Sequence, residues 1–194
     1  LTPPHDISDK KITEFLPKGK LAEKYLDIMK RSYALLKDHP VNRARIAAGK
    51  NPANSLWLWG EGTKPKIDSF TRKTKLKGGV ISAVDLVKGI ALLAGMKFIP
   101  VAGATGNYDT DFAAKANAAA RELLYGGLDY VYIHMEGPDE CGHHGDTEHK
   151  VFSIEQIDGL VVKMLKEAFE RAGEDYCILI CPDHPTPCTI KTHV

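Results

Sequence analysis

Tyr130-Val131-Tyr132-Ile133-His134 is a strand-like run, and the polar cluster Asp139-Glu140-Cys141-Gly142-His143 follows close behind it. The arrangement recurs downstream, where Cys177-Ile178-Leu179-Ile180-Cys181 leads into Asp183-His184-Pro185-Thr186-Pro187, with His193 shortly after. In an open α/β sheet, ligands and catalytic groups gather outside the carboxyl ends of the strands. Two strands that each deliver an Asp/His cluster to that edge predict an α/β fold carrying a binuclear metal site. Two cations about 3.5–4 Å apart suit phosphoryl transfer, because they stabilise both the attacking and the leaving oxygen.

Outward from these runs the chain alternates. Lys97-Phe98-Ile99-Pro100-Val101 reads as a further strand, and Gly79-Val80-Ile81 as another strand or only the approach to the next helix. Ser82 stands as an N-cap with Asp85 three residues on, Leu86, Ile90 and Leu93 follow at helical spacing, and Gly95 closes that helix. The Ala-rich segment 111–125 is helical by propensity and stops at Gly126-Gly127. Val151, Ile154, Ile157, Val161, Leu165 and Phe169 give one apolar face to a long helix over 151–172. Strands alternating with helices predict a mainly parallel sheet with helices on its faces. Cys177 and Cys181 are expected inside a buried strand, as small hydrophobes.

Before residue 55 the pattern differs. Thr2-Pro3-Pro4-His5-Asp6 is a turn-rich opening, one helix is expected over 20–37 and a shorter one over 40–48, and no strand is visible. Ser55-Leu56-Trp57-Leu58-Trp59 then reads as a short strand. The expected division is therefore 1–54 and 55–194.

With 194 residues the chain can bury one substantial core, and 43% hydrophobic and 26% charged residues are ordinary for a soluble globular protein. A formal net charge of +1 offers no global field for nucleic acid or a membrane surface. No apolar stretch approaches the roughly 18–20 residues of a membrane span. The four cysteines form no C-x-x-C pair, so they are expected as reduced thiols in a cytoplasmic protein. A zinc site using Cys141 or Cys188 would match no structural zinc spacing. The chain starts at Leu1 without methionine and stops at Val194 beside a candidate ligand, and reads as an internal piece of something longer.

Asp139 and His143 can reach one cation if the backbone turns between them, and Gly142 and Gly145 permit such turns. Asp183 and His184 are adjacent, so their side chains diverge toward different faces of one ion or toward two ions. Pro182, Pro185 and Pro187 stiffen that loop. With His193 the set holds three imidazoles and two carboxylates. Such mixed ligation suits Mn²⁺, Zn²⁺ or Fe²⁺ better than Ca²⁺ or Mg²⁺. His144 and His149 read as a solvated loop residue and a helix-start residue. Glu140 is either an acceptor for a ligating histidine or simply exposed. Arg43 and Arg45 offer the bidentate donors that phosphate favours, although surface arginines are far commoner than phosphate clamps. The basic run from Lys64 to Lys77 reads as a solvated face, and Gly103-Ala104-Thr105-Gly106 lacks a full phosphate-loop pattern.

Taken together, several motifs resemble the archaeal-type, 2,3-bisphosphoglycerate-independent phosphoglycerate mutases of the alkaline phosphatase superfamily. They are Pro138-Asp139-Glu140-x-Gly142-His143-x-Gly145, Pro182-Asp183-His184-Pro185-Thr186-Pro187, Thr192-His193, Asn42-x-x-Arg45, Trp57-Leu58-Trp59-Gly60-x-Gly62, Ala83-Val84-Asp85-Leu86-x-Lys88-Gly89 and Gly103-Ala104-Thr105-Gly106. The resemblance implies a three-layer alkaline-phosphatase-like core plus part of an inserted substrate-capping domain. It implies two divalent ions, manganese first with magnesium, zinc or cobalt as alternatives, and no 2,3-bisphosphoglycerate. Asp139, His143 and His193 would hold one ion and Asp183 and His184 the other, while Arg45, beside Arg43, would grip the substrate phosphate. A serine outside the matched motifs would take the phosphoryl group from 3-phosphoglycerate and return it to the 2-hydroxyl. The partner would be a small phosphorylated substrate, with no nucleic acid and no membrane; the oligomeric state and the roles of His5 and Asp6 are left open. A branch of the family proposed to act as homoserine kinase is the alternative reading, and a metal-binding piece without turnover is the third.

Overall fold

The computed structural model describes residues 1–7 and 10–194. The chain divides into two compact units, Leu1–Lys64 and Pro65–Val194. In the first, helices α1 (Ala22–Leu36) and α2 (Pro40–Ala47) follow two short 3₁₀ turns. Pro40 at the first turn of α2 costs no hydrogen bond there, and His39 caps it through Nδ1. Asn42, 3% exposed, ties this unit together: its amide donates to Leu36 O and Ala53 O, and its Oδ1 accepts from Ala53 N.

The second unit runs α3 (Phe70–Thr74), β1 (Gly78–Ile81), α4 (Asp85–Leu93), β2 (Lys97–Phe98), α5 (Phe112–Leu124), β3 (Tyr130–Ile133), α6 (Gly137–His144), α7 (Thr147–Gln156) and α8 (Lys163–Ala172). Its strands pair in the order β2-β1-β3, all parallel, with Val80 opposite Phe98 and Ile81 opposite Ile133. This is the α/β fold with a parallel sheet that the alternation predicts. The central strand β1 is buried along its whole length. A Cβ at Gly79 would press into the Leu128 and Ile99 side chains, so the strand keeps glycine where its neighbours close in.

The core joins Ile81 and Ile99 to Phe112, Ala116 and Ala119 of α5 and to Val161, Leu165 and Phe169. Alanines on α5 let the larger side chains approach closely, and each buried Leu or Phe contributes roughly 1.5–3 kcal/mol. Leu165 and Phe169 lie on α8, and the helix expected over 151–172 is present as one helical run from Thr147 to Ala172 with a change of pitch inside it. Residues Ile157–Val162 form a π-helical segment between α7 and α8. The wider turn re-phases the apolar stripe, so Ser153 is buried while Val151 and Ile154 are exposed.

Four expectations are corrected. Ser82 does not cap α4; its hydroxyl accepts from Val84 N in a local turn, and the helix starts at Asp85. The expected strand 97–101 keeps only Lys97–Phe98, since Pro100 has no N–H to give. Ser55–Trp59 forms no strand, because its polar groups are met otherwise: Leu56 N donates to Ser32 Oγ and Trp57 Nε1 to Thr2 O. Cys177–Cys181 joins no ladder among the described residues, and Cys177 and Cys181 are exposed. An apolar run is buried only where something covers it, and only Ile178 reaches the core while Leu179 stays 82% exposed.

Candidate metal centre

The segment Pro138–His143, expected as a glycine-assisted turn, is instead part of α6. Pro138 in the first turn fits the helix, and Gly145, at φ 72°, ends it as a left-handed cap. Helical spacing places Asp139 and His143, at i and i+4, on one face. Gly142 lets α6 meet the loop after residue 182, since a Cβ there would overlap the Thr186 carbonyl.

That loop brings the remaining donors. His143 Nε2 lies 3.4 Å from Asp139 Oδ2 and 3.1 Å from His193 Nε2, and His193 Nε2 lies 3.5 Å from Asp139 Oδ1. Asp139, His143 and His193 form one of two groups among the described residues that could hold a metal ion. Donors about 2.1 Å from a shared tetrahedral centre stand roughly 3.4 Å from one another. The observed separations are of that size, the two histidines meeting different oxygens of the Asp139 carboxylate, and the residues fit a divalent ion. Lys191 O lies 3.1 Å from His143 Nδ1. A carbonyl only accepts, so the proton sits on Nδ1 and the Nε2 lone pair faces the triangle.

His184 packs beside this set, its ring centroid 3.8 Å from that of His193. Its Nδ1 is 3.9 Å from Asp139 Oδ1, and its Nε2 is 3.7 Å from Asp183 Oδ2. Asp183 itself is 95% exposed. All five residues singled out in the sequence as ligands thus meet within one region of the second unit. Arg43 and Arg45 belong to the first unit, on α2, where Arg45 Nε donates to Asn51 O. His149 Nδ1 and N both meet the Asp146 carboxylate, which caps α7, as a helix-start role predicts. His144 sits in the last turn of α6 rather than in a loop, its Nδ1 on Glu140 O. The His5 side chain lies outside the described residues.

Sequence reasoning missed four groups. Thr186, 3% exposed, donates its hydroxyl to Asp139 Oδ1, and its carbonyl accepts from Lys150 Nζ at 2.8 Å. A threonine fixed between two prolines beside an Asp-His pair was the available signal. Lys115, 1% exposed, donates to Thr105 O and His134 O, and burial pulls its ammonium below the ordinary lysine range. Glu136 keeps a buried Oε2 without a hydrogen bond, 3.3 Å from His134 Nδ1. Burial first, then the charges of Glu140 and Asp139, push its carboxyl upward. Burial, followed by the Lys115 charge, pushes His134 downward.

Residues 10–194 match the family described as the Metalloenzyme superfamily. A protein of Methanothrix thermoacetophila named 2,3-bisphosphoglycerate-independent phosphoglycerate mutase is 50% identical over 99% of this chain and 48% of its own length. A Geobacter sulfurreducens protein, named as a probable enzyme of the same kind, is 50% identical over 100% of this chain and 48% of its own. The chain spans about half the length of the curated relatives it matches. Among solved structures, the PH0037 protein from Pyrococcus horikoshii superposes with a TM-score of 0.67 at 31% identity, over 89% of this chain and 44% of that one.

Proposed function

The chain belongs to the Metalloenzyme superfamily, and from that membership we propose that it carries the ion centre of a 2,3-bisphosphoglycerate-independent phosphoglycerate mutase. The reaction would interconvert 3-phosphoglycerate and 2-phosphoglycerate, a step of glycolysis, in the cytoplasm. The observation that carries this reading is the triangle of Asp139, His143 and His193, whose edges fit one divalent ion. Relatives that bear the mutase name at 50% identity support the substrate class.

On this reading residues 1–54 close an inserted substrate-binding domain and residues 55–194 are the ion-binding core. Asp139, His143 and His193 hold one ion; Asp183 and His184 contribute to a second. Manganese is the first choice, with magnesium, zinc or cobalt as alternatives. Bound divalent ions supply positive charge that stabilises a phosphoryl group in transfer and favours an ionised serine nucleophile. The protein's share is to hold the donors deprotonated and correctly turned, as Lys191 O does for His143. Arg45, with Arg43, would neutralise the substrate phosphate through charge-assisted bonds. No helix among the described residues is long and apolar enough to cross a membrane.

A coupled assay on the longer protein tests the reading, with Mn²⁺ present and neither ATP nor bisphosphoglycerate added. Chelator-sensitive formation of 2-phosphoglycerate is the expected result. An ion-binding protein that turns over only with ATP and homoserine would overturn the mutase assignment in favour of a kinase.

A further inference from the structure

Thr186 touches both ligand sets with a single hydroxyl. Its Oγ1 lies within hydrogen-bond reach of Asp139 Oδ1 and 3.2 Å from His184 Nδ1. A hydroxyl has one proton to donate and two lone pairs to accept with. An ionised carboxylate can only accept, so the Thr186 proton goes to Asp139. The remaining contact then has one solution: His184 Nδ1–H donates to Thr186 Oγ1. Its Nε2 is left with a lone pair, turned to the side where Asp183 Oδ2 lies 3.7 Å away.

We propose that Thr186 is a positioning residue that couples the two ion sites, fixing the orientation of Asp139 in one and the tautomer of His184 in the other. The proposal rests on the metal-centre reading above. Three observations hold the hydroxyl in place. Thr186 is 3% exposed, so water does not compete for the hydroxyl. Lys150 Nζ pins its carbonyl from α7 at 2.8 Å. Gly142 admits that carbonyl against α6 where any side chain would collide. Donation to Oδ1 also occupies one lone pair there and leaves Oδ2, 3.4 Å from His143 Nε2, as the less encumbered ligand atom. Partners of this kind, one bond removed from an ion, typically change metal affinity about 10–100-fold.

Two measurements on the complete chain test the coupling. The first is Co²⁺ titration by calorimetry and visible absorption for the wild type, Thr186→Val and Thr186→Ser. Valine keeps the shape and removes the hydroxyl, and should weaken Co²⁺ binding about 10–100-fold; serine restores the hydroxyl and should restore affinity. Equal affinity in wild type and valine variant overturns the proposal while leaving the metal centre standing. The second is long-range ¹H–¹⁵N correlation of the His184 ring in the metal-free wild type at alkaline pH, where the Nδ1–H form is expected. An Nε2–H form there overturns the proposal without reference to any variant's folding. A wild type that takes up no Co²⁺ sinks the metal-centre reading instead, and the His184 tautomer still decides whether the hydroxyl bridge exists.

Discussion

The Nε2 atoms of His143 and His193 stand 3.1 Å apart although fifty residues separate them in sequence. His143 carries its proton on Nδ1, against Lys191 O, so its Nε2 presents a lone pair to the other ring. Two facing lone pairs repel, and the short distance is stable only with a proton or a cation between them.

The first prediction follows for Asp139→Ala and His143→Ala. Each removes one corner of the donor triangle, so Co²⁺ affinity should fall by more than the roughly 100-fold upper range for outer partners. Calorimetric titration of the metal-free chain measures it, and unchanged affinity in either variant would show that the ion sits elsewhere.

Gly142→Ala sets helix propensity against packing. Alanine is the better helix former by up to about 1 kcal/mol, but its methyl would overlap the Thr186 carbonyl. We expect packing to win, with a net loss of about 1–3 kcal/mol in urea unfolding. Gly89→Ala in α4 is the control, because its Cβ meets nothing within 4 Å. It should gain stability, by about 0.5–1 kcal/mol.

Glu136 gives a pH-dependent prediction with a definite sign. Its folded-state pKa is raised above the ordinary value, so the native chain binds this proton more readily than the unfolded chain does. Stability should therefore fall as pH climbs from the ordinary glutamate range through the raised folded value. Glu136→Gln removes the buried charge. Its melting temperature in metal-free buffer should exceed that of the wild type at pH 8, and the gain should shrink toward pH 4. A pH-independent difference would mean that the carboxylate is solvated in the native state.

Asn42→Ala probes the first unit. Three hydrogen bonds would be lost, and Leu36 O, Ala53 O and Ala53 N would be left to find other partners. A loss of about 2–4 kcal/mol is expected by denaturant titration; a loss under about 0.5 kcal/mol would show that water replaces the side chain at no cost.

The sequence carried the parallel sheet and most helices, because periodicity is a local signal, and it singled out side chains such as Asp139, His143 and His193 that the fold brings together. It misread α6 as a turn: Gly142 and Gly145 look like chain breakers, yet Gly142 is required by Thr186, more than forty positions on, and only Gly145 ends a helix. It placed a helix over 151–172 without the wide turn at Ile157–Val162, because a π-helical stretch leaves no mark in the apolar spacing of the sequence. It credited Cys177–Cys181 with burial, since composition reports what a segment prefers and not what is available to cover it. Lys115 and Glu136 went unnoticed for the same reason: a charged residue in sequence looks solvated until tertiary structure closes over it.

The distance along the chain between Asp139 and His193 has a thermodynamic corollary. An unfolded chain has no such triangle, so ion uptake and folding draw on one shared equilibrium. An ion that binds only the native form adds about 2.7 kcal/mol at a hundred times its Kd. With an ion held by this triangle, the melting temperature becomes a function of free divalent ion, and a chelator would act as a denaturant whose strength is set by the ion it withholds.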